Sequence, residues 1–226
     1  MEETDINNRR YYSLMVLGII LPFLLTPFLS FIFISADQSF TYRLVCSRFL
    51  IWGVFGLMLL HARYAEVQKF LLWDEEPYGI SFYIVAVVGL YLLILASGMV
   101  AQIPYLLGFR EKNAMMHKMQ EVMRQYPLLL VFTAFTAGVT EEFIFRGYII
   151  SRLSLFFSNK YLPILISALL FMAVHLGYHN ISELIFTFLF GLIFGYHYQK
   201  YRNLKVLIIV HILVDLIATL PRVHHR

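Results

Sequence analysis

The sequence predicts an all-α, polytopic membrane protein with about seven transmembrane helices, in a range of six to eight, plus interfacial amphipathic helices. The 226 residues are 60% hydrophobic and 17% aromatic, whereas soluble domains are about 45–50% apolar. Several apolar runs approach the roughly 20 residues that a helix needs to cross a bilayer. We find no linker, low-complexity tract or repeat, which predicts a single transmembrane domain over residues 1–226.

The apolar runs define the predicted spans in chain order. The first run is too long for a signal-peptide core and no small-residue cleavage site follows it, so we expect a retained helix. The third run is long enough to tilt or to break near Pro104. The predicted spans are residues 12–35, 44–61, 80–107, 128–145, 162–176, 184–198 and 204–220.

Two polar segments between the spans, residues 61–79 and 110–127, mix charged with apolar side chains. We expect both to form helices on the membrane surface, with connecting loops as the alternative. In the second segment, Met115, Met119 and either Val122 or Met123 recur at helical spacing. The acidic run at residues 74–76 in the first segment is interpreted as solvated.

The net charge is +4 and the sequence pI is about 9.1. Basic residues in a membrane protein report its orientation, and no basic patch with interleaved aromatics indicates nucleic acid as a partner. Arg9 and Arg10 precede the first span, which predicts a cytoplasmic N-terminus. The basic segment 110–124 does not fit this orientation on a seven-helix count, so either the count is off by one there or the segment lies in the interface. The lone Cys46 allows no internal disulfide.

Charged residues interrupt the fourth span at "TEEFIFRG". A charge at the centre of a membrane helix costs about 2.5–3.5 kcal/mol on insertion scales. Glu142 and Arg146 are spaced i, i+4 and predict an ion pair on one helix face. Glu141 points about 100° away from Glu142. This leaves Glu141 without a local partner and able to act as a base toward water.

Two later apolar runs carry further polar residues. "FMAVH" ends in His175, and a single histidine at a helix end is more often a packing or interfacial residue than a functional one. "HILVD" places His211 and Asp215 at i, i+4 in an apolar helix, where both need polar company from another helix. Because desolvation favours gathering such groups, we expect Glu141, His175 and His211 to line one wet cavity. A carboxylate and imidazoles around a water molecule form a hydrolytic site.

The three motifs, read as EExxxR, FxxxH and HxxxN/D, resemble in order and spacing the CPBP (Abi) family of CAAX proteases and bacteriocin-processing enzymes. The resemblance divides the chain into a catalytic core, residues 128–220, and accessory N-terminal helices, residues 1–127. It implies an intramembrane endopeptidase that cleaves a membrane-associated protein or peptide without a metal or other cofactor. It also implies a multi-pass protein of a bacterial cell membrane.

The resemblance implies a role for each motif residue. Glu141 activates the attacking water together with His175. Glu142 and Arg146 shape the site. The last motif, His211 and Asp215, stabilises the oxyanion.

Asp215 departs from the prenyl-protease branch, which has asparagine there. An ionised carboxylate cannot donate a hydrogen bond to an oxyanion. Either Asp215 carries a proton, or it holds His211 in place and His211 donates. The departure weakens the case for a prenylated substrate, so the sequence leaves open which peptide is cleaved.

Other readings stay open. His175, His179 and Glu183 at i, i+4, i+8 would suit a zinc-dependent protease, although Gly177 and residues 180–182 predict a helix end and a new N-cap that would break this alignment. The protein could instead be a non-catalytic bacteriocin-immunity or regulatory binding protein. A proton-coupled transporter is a third alternative, but the paired broken helices of transporters are not evident. Nothing in the sequence predicts an oligomeric state.

Overall fold

In a computed structural model, which describes residues 2–109, 114–178 and 180–219, every regular element of those residues is helical, as predicted. Two π-helical segments extend the α-helices: His61–Ala65 continues α2, and Glu142–Ile150 joins α6 to α7. The α-helices are α1 (Glu2–Phe33), α2 (Phe40–Leu60), α3 (Ile80–Ala101), α4 (Ile103–Leu106), α5 (Ala114–Gln125), α6 (Pro127–Glu141), α7 (Ser151–Phe156), α8 (Tyr161–Ala173), α9 (Ile181–Tyr201) and α10 (Leu204–Thr219).

Each of the seven predicted apolar runs is helical over most of its described length. Within the described ranges, five helical stretches are long and apolar enough to cross a membrane: Arg9–Phe33, Phe40–Ala65, Ile80–Leu106, Pro127–Phe156 and Ile181–Tyr201. The other two predicted spans correspond to α8, a shorter apolar helix, and to the 16 residues of α10. The third span breaks beside Pro104, where α3 gives way to α4.

The two predicted surface helices have different outcomes. The second is confirmed from Ala114 onwards as α5, which buries Met123 against Leu44 and Leu130 and leaves Met115 41% exposed. Residues 110–113 of that segment lie outside the described residues.

The first predicted surface helix is wrong. After the π-helical turn the chain bends through Val67, whose φ is +57°, and irregular backbone inserts Phe70 and Leu71 into the core. The solvated interpretation of residues 74–76 is also wrong for Glu75. Its carboxylate accepts the backbone N–H of Leu204 and pairs with Lys205 at 2.7 Å, so it caps the start of α10.

The C-terminal helices pack closely around α6 and its π-helical continuation. α8 packs along α9, and α10 packs along α6. Gly138 allows the second approach, because a Cβ atom there would lie 2.6 Å from Ile212 Cγ1 and 3.4 Å from the carbonyl oxygen of Ile208. This approach brings the polar residues of the fourth and seventh predicted spans within hydrogen-bonding distance.

Candidate active site

A cavity of about 150 Å³ lies where α6, α10 and the turn after α8 meet, with α2 and α5 closing it. Glu141, His175, His211 and Asp215 all line it, and the predicted convergence of the three motifs is therefore confirmed. The side chains of Glu141 and Asp215 are 19% and 33% exposed. The cavity is therefore polar and open enough to admit water.

Glu142 lies behind this cavity and is completely buried. Its Oε1 accepts hydrogen bonds from Arg146 at 2.8 Å and from His211 Nδ1 at 2.7 Å. The predicted Glu142–Arg146 ion pair is confirmed, and the structure adds His211 to it. Glu142 therefore joins the first and last motifs directly.

Arg146 is 1% exposed. Besides its ion pair with Glu142, its guanidinium contacts three aromatic rings. The ring centres of Phe171, Phe194 and Phe190 lie 4.6, 5.4 and 5.6 Å from its central carbon. The faces of aromatic rings attract cations, most strongly where water is excluded. This cage explains how a buried arginine with a single ion pair is tolerated.

The backbone at the first motif is a π-helix from Glu142 to Ile150, which the sequence analysis did not predict. π-helical turns are rare, and they occur frequently at functional sites. The α-helix ends at Glu141 and the π-helix begins at Glu142, so the two carboxylates project from different helix types. As predicted, they point apart: Glu141 reaches the cavity, whereas Glu142 is enclosed by protein.

His175 lies just beyond the end of α8. Its Nδ1 is 2.8 Å from the carbonyl oxygen of Phe171. A carbonyl only accepts, so Nδ1 carries the proton and, in a neutral ring, Nε2 is the basic nitrogen. The FxxxH spacing thus fixes the tautomer of the histidine through the backbone of its own phenylalanine.

The structure corrects the predicted support of His211. We expected Asp215 to hold the imidazole from behind, but Glu142 does so through Nδ1. The other nitrogen, Nε2, faces the cavity, 3.9 Å from Glu141 and 3.8 Å from Asp215. Asp215 therefore lies on the reactive side of the ring, beyond hydrogen-bonding distance of it.

Two further charged residues line the cavity, and sequence reasoning assigned neither of them to this site. Arg48 comes from α2, and Glu183 comes from the first turn of α9. A signal for Arg48 existed, because it is a charge inside a predicted span. Glu183 was considered only as a zinc ligand.

Zinc binding through residues 175, 179 and 183 required one continuous helix. The chain instead leaves α8 at Ala173, passes through a 3₁₀ turn and restarts at Asn180, whose side chain caps α9 by accepting the N–H of Glu183. The predicted break is therefore confirmed. Among the described residues no group of three or more His, Cys, Asp or Glu is placed to hold a metal ion; His179 lies outside them.

A second set of buried charges, here termed the closed cluster, comprises His61, Glu66, Tyr148 and Arg152. Arg152 binds Glu66 at 2.6 Å, and both residues are buried. Tyr148 also donates to Glu66. The sequence analysis missed this cluster, because Glu66 lies in the segment 61–79, for which it predicted a surface helix.

Comparison with known proteins supports the motif assignment. Residues 123–217 match the family described as type II CAAX prenyl endopeptidase Rce1-like. The chain is also similar to a Bacillus subtilis (strain 168) protein named "Putative membrane peptidase YdiL", with 21% identity over 176 residues, which cover 73% of this chain and 68% of that protein. No solved structure matches the chain. The family match spans all three motifs and confirms the resemblance that they predicted.

Proposed function

We propose that this multi-pass membrane protein, whose residues 123–217 match the Rce1-like family of type II CAAX prenyl endopeptidases, is an intramembrane endopeptidase. It hydrolyses a peptide bond of a membrane-associated protein or peptide. The observation that carries the proposal is the meeting of Glu141 and His211, which are far apart in sequence, 3.9 Å from each other in a cavity open to solvent. Buried acids and imidazoles gathered around a wet cavity are the components of general acid–base hydrolysis.

Glu141 is the general base. A water molecule between Glu141 and the basic Nε2 of His175 loses a proton to the carboxylate as its oxygen bonds to the scissile carbonyl carbon. The carbonyl oxygen becomes the oxyanion. When the C–N bond breaks, the proton taken by Glu141 passes to the leaving amine, and the carboxylate is regenerated.

His211 stabilises the oxyanion in this proposal. Its Nδ1 proton is committed to Glu142, so Nε2 donates only when the ring is an imidazolium ion. The carboxylate of Glu142 at 2.7 Å compensates that charge, and Arg146 in turn holds Glu142. Glu142 and Arg146 are thus positioning residues, whereas His211 contacts the reacting atoms.

Asp215 is assigned a supporting electrostatic role. It lies 3.8 Å from Nε2 of His211 on the cavity side, where an ionised carboxylate would favour a charged ring and a protonated one would donate to the oxyanion. An asparagine substitution separates the two alternatives, because the amide keeps a hydrogen-bond donor but removes the negative charge.

The substrate is proposed to arrive through a larger groove of about 710 Å³ between α3, α5 and α10. The groove is continuous with the catalytic cavity, because Met116, Glu183, Phe186 and Val214 line both. It mixes apolar walls with polar side chains such as Gln102. An extended peptide segment with alternating polar and apolar contacts fits such a groove.

Comparative peptidomics of membranes tests this function. Cells that produce the wild-type chain are expected to contain cleavage products that are absent with Glu141→Ala at equal protein levels. The wild-type and Glu141→Ala proteins are also each expressed in a knockout strain. Full function of a well-expressed Glu141→Ala protein would favour the binding or immunity role over catalysis.

A chelator separates the proposed mechanism from the zinc alternative. We expect no cofactor, so dialysis against a chelator leaves cleavage unchanged. Loss of cleavage with recovery on adding zinc would establish a metal mechanism. We also propose that the protein resides in a bacterial cell membrane with its N-terminus in the cytoplasm. Tags at each terminus would show on which side of the membrane that terminus lies.

A further inference from the structure

A second groove, of about 730 Å³, lies apart from the catalytic cavity, between the first half of α3 and the second half of α9. Its volume is typical of ligand sites, which measure roughly 300–1,000 Å³. The walls are mainly apolar, and Val85 and Leu93 on its rim are 71% and 54% exposed. Both helices are long and apolar enough to cross the membrane, so this groove opens sideways toward lipid.

One polar side chain in the groove has no protein partner. His197 is 6% exposed, yet neither of its ring nitrogens has a hydrogen-bond partner. Its nearest rings are those of Tyr201 and Phe82, at 4.8 and 6.2 Å between centres. A buried imidazole without a partner is costly, and such groups are commonly satisfied by a ligand or by solvent. His197 lines the groove, so a ligand bound there lies against this ring.

The depth of His197 identifies the part of a ligand that would meet it. The residue lies four positions before the end of α9, which corresponds to about 6 Å along the axis. A helix of 21 residues is about as long as the hydrocarbon core is thick, so in a membrane-spanning α9 His197 lies in the outer part of that core, close to the ester groups of a lipid. Exposed Lys200 lies next to it in the last turn, with its ammonium 4.9 Å from the ring centre of Tyr201. The groove therefore has a ring in its wall that can donate a hydrogen bond, and a cation lies three residues further along the same helix.

We propose that this groove binds one anionic phospholipid. An acyl chain lies along the groove between α3 and α9. The ring N–H of His197 donates to an ester or phosphate oxygen, and Lys200 neutralises the phosphate. The site is independent of the proposed cleavage reaction, because none of its residues lines the catalytic cavity.

Gly89 offers a way to fill the groove without disturbing the fold. It lines the groove, and a Cβ atom added there meets no atom within 4 Å. Gly53 on α2 is a matched control, because it also faces open space but lies outside the groove. Both Gly→Leu changes add the same side chain to a membrane helix.

Native mass spectrometry of the full-length chain in detergent tests the proposal. The protein is titrated with phosphatidylglycerol and with phosphatidylcholine of identical acyl chains. We expect one phosphatidylglycerol adduct that outcompetes phosphatidylcholine. Gly89→Leu and His197→Phe should each weaken the adduct by about tenfold, the effect of losing one good set of contacts, while Gly53→Leu behaves as wild type. Lys200→Gln should reduce the preference between the two lipids.

Three results would overturn the proposal. Adducts of equal abundance with both lipids would contradict the proposed preference for an anionic headgroup. Equal adducts in Gly89→Leu and Gly53→Leu would place the lipid elsewhere. A dimer in the wild type that Gly89→Leu dissociates would show a second copy of the chain in the groove.

Discussion

Two sets of polar side chains have members on the same helical stretch, Pro127–Phe156, and they differ in how fully their hydrogen-bonding atoms are used. In the closed cluster, Arg152 donates four hydrogen bonds, two to Glu66 and two to backbone carbonyls. At the candidate active site, Glu141 and Asp215 are partly exposed, and Glu142 Oε2, behind the cavity, has no hydrogen-bond partner.

The comparison shows that burial alone does not identify a reactive charge. A saturated cluster has no atom left for a substrate and acts in folding. An unsaturated one beside a cavity can bind water and exchange protons. The two regions should therefore respond oppositely to substitution, one in stability and the other in activity.

Glu141→Gln is expected to give the largest effect, which separates the two regions most clearly. It removes the proposed base without changing the shape of the side chain, so cleavage should fall by about 10²–10⁴-fold. Thermal unfolding in detergent should be unchanged, since the side chain is partly exposed. Glu121→Gln, an exposed glutamate on α5, is the control and should retain wild-type cleavage.

Glu66→Ala tests the other region. It leaves Arg152 buried without its counter-ion, which should cost about 3–5 kcal/mol of stability, while cleavage per folded molecule stays near wild type. The double change Glu66→Met with Arg152→Met removes both charges and should recover part of the loss. A stable Glu66→Ala protein with impaired cleavage would contradict the structural role of the closed cluster.

Glu142→Ala should affect both properties, because Glu142 holds a buried arginine and a reactive histidine together. We expect a stability loss of about 3–5 kcal/mol, because Arg146 is then buried without its counter-ion, and a roughly tenfold loss of cleavage from misplacement of His211. Urea titration and a cleavage assay measure the two. Equal stability losses in Glu141→Gln and Glu142→Ala would remove the distinction between base and positioning residue.

Asp215→Asn should give the smallest effect, less than about tenfold in cleavage, because the residue is beyond hydrogen-bonding distance of His211. The amide can donate to an oxyanion. A rise in kcat would show that the native carboxylate is ionised and opposes the oxyanion. A fall would show that the charge of Asp215 supports the imidazolium form of His211, and an unchanged kcat would indicate a protonated Asp215 whose donor the amide replaces.

Prediction from sequence succeeded where the signal was local. The i, i+4 spacing placed Glu142 beside Arg146, and each of the seven apolar runs coincides with helix over most of its described length. It failed for Glu66 and Glu75, whose partners Arg152 and Leu204 lie far along the chain. Charge patterns within 20 residues cannot reveal such partners, so an irregular segment that enters the core looked like a surface helix.

The sequence by itself determined that the protein is an all-helical membrane protein and that Glu141, His175, His211 and Asp215 belong to one site. The reason is that a charged side chain in an apolar span needs polar partners from other helices. In the C-terminal half, three segments carry the family motifs, and these motifs contain such side chains. The tertiary structure alone decided which partner each group has. Close packing at Gly138 brings Glu142 against Nδ1 of His211, and that distance depends on how two helices meet, which no spacing along one helix encodes.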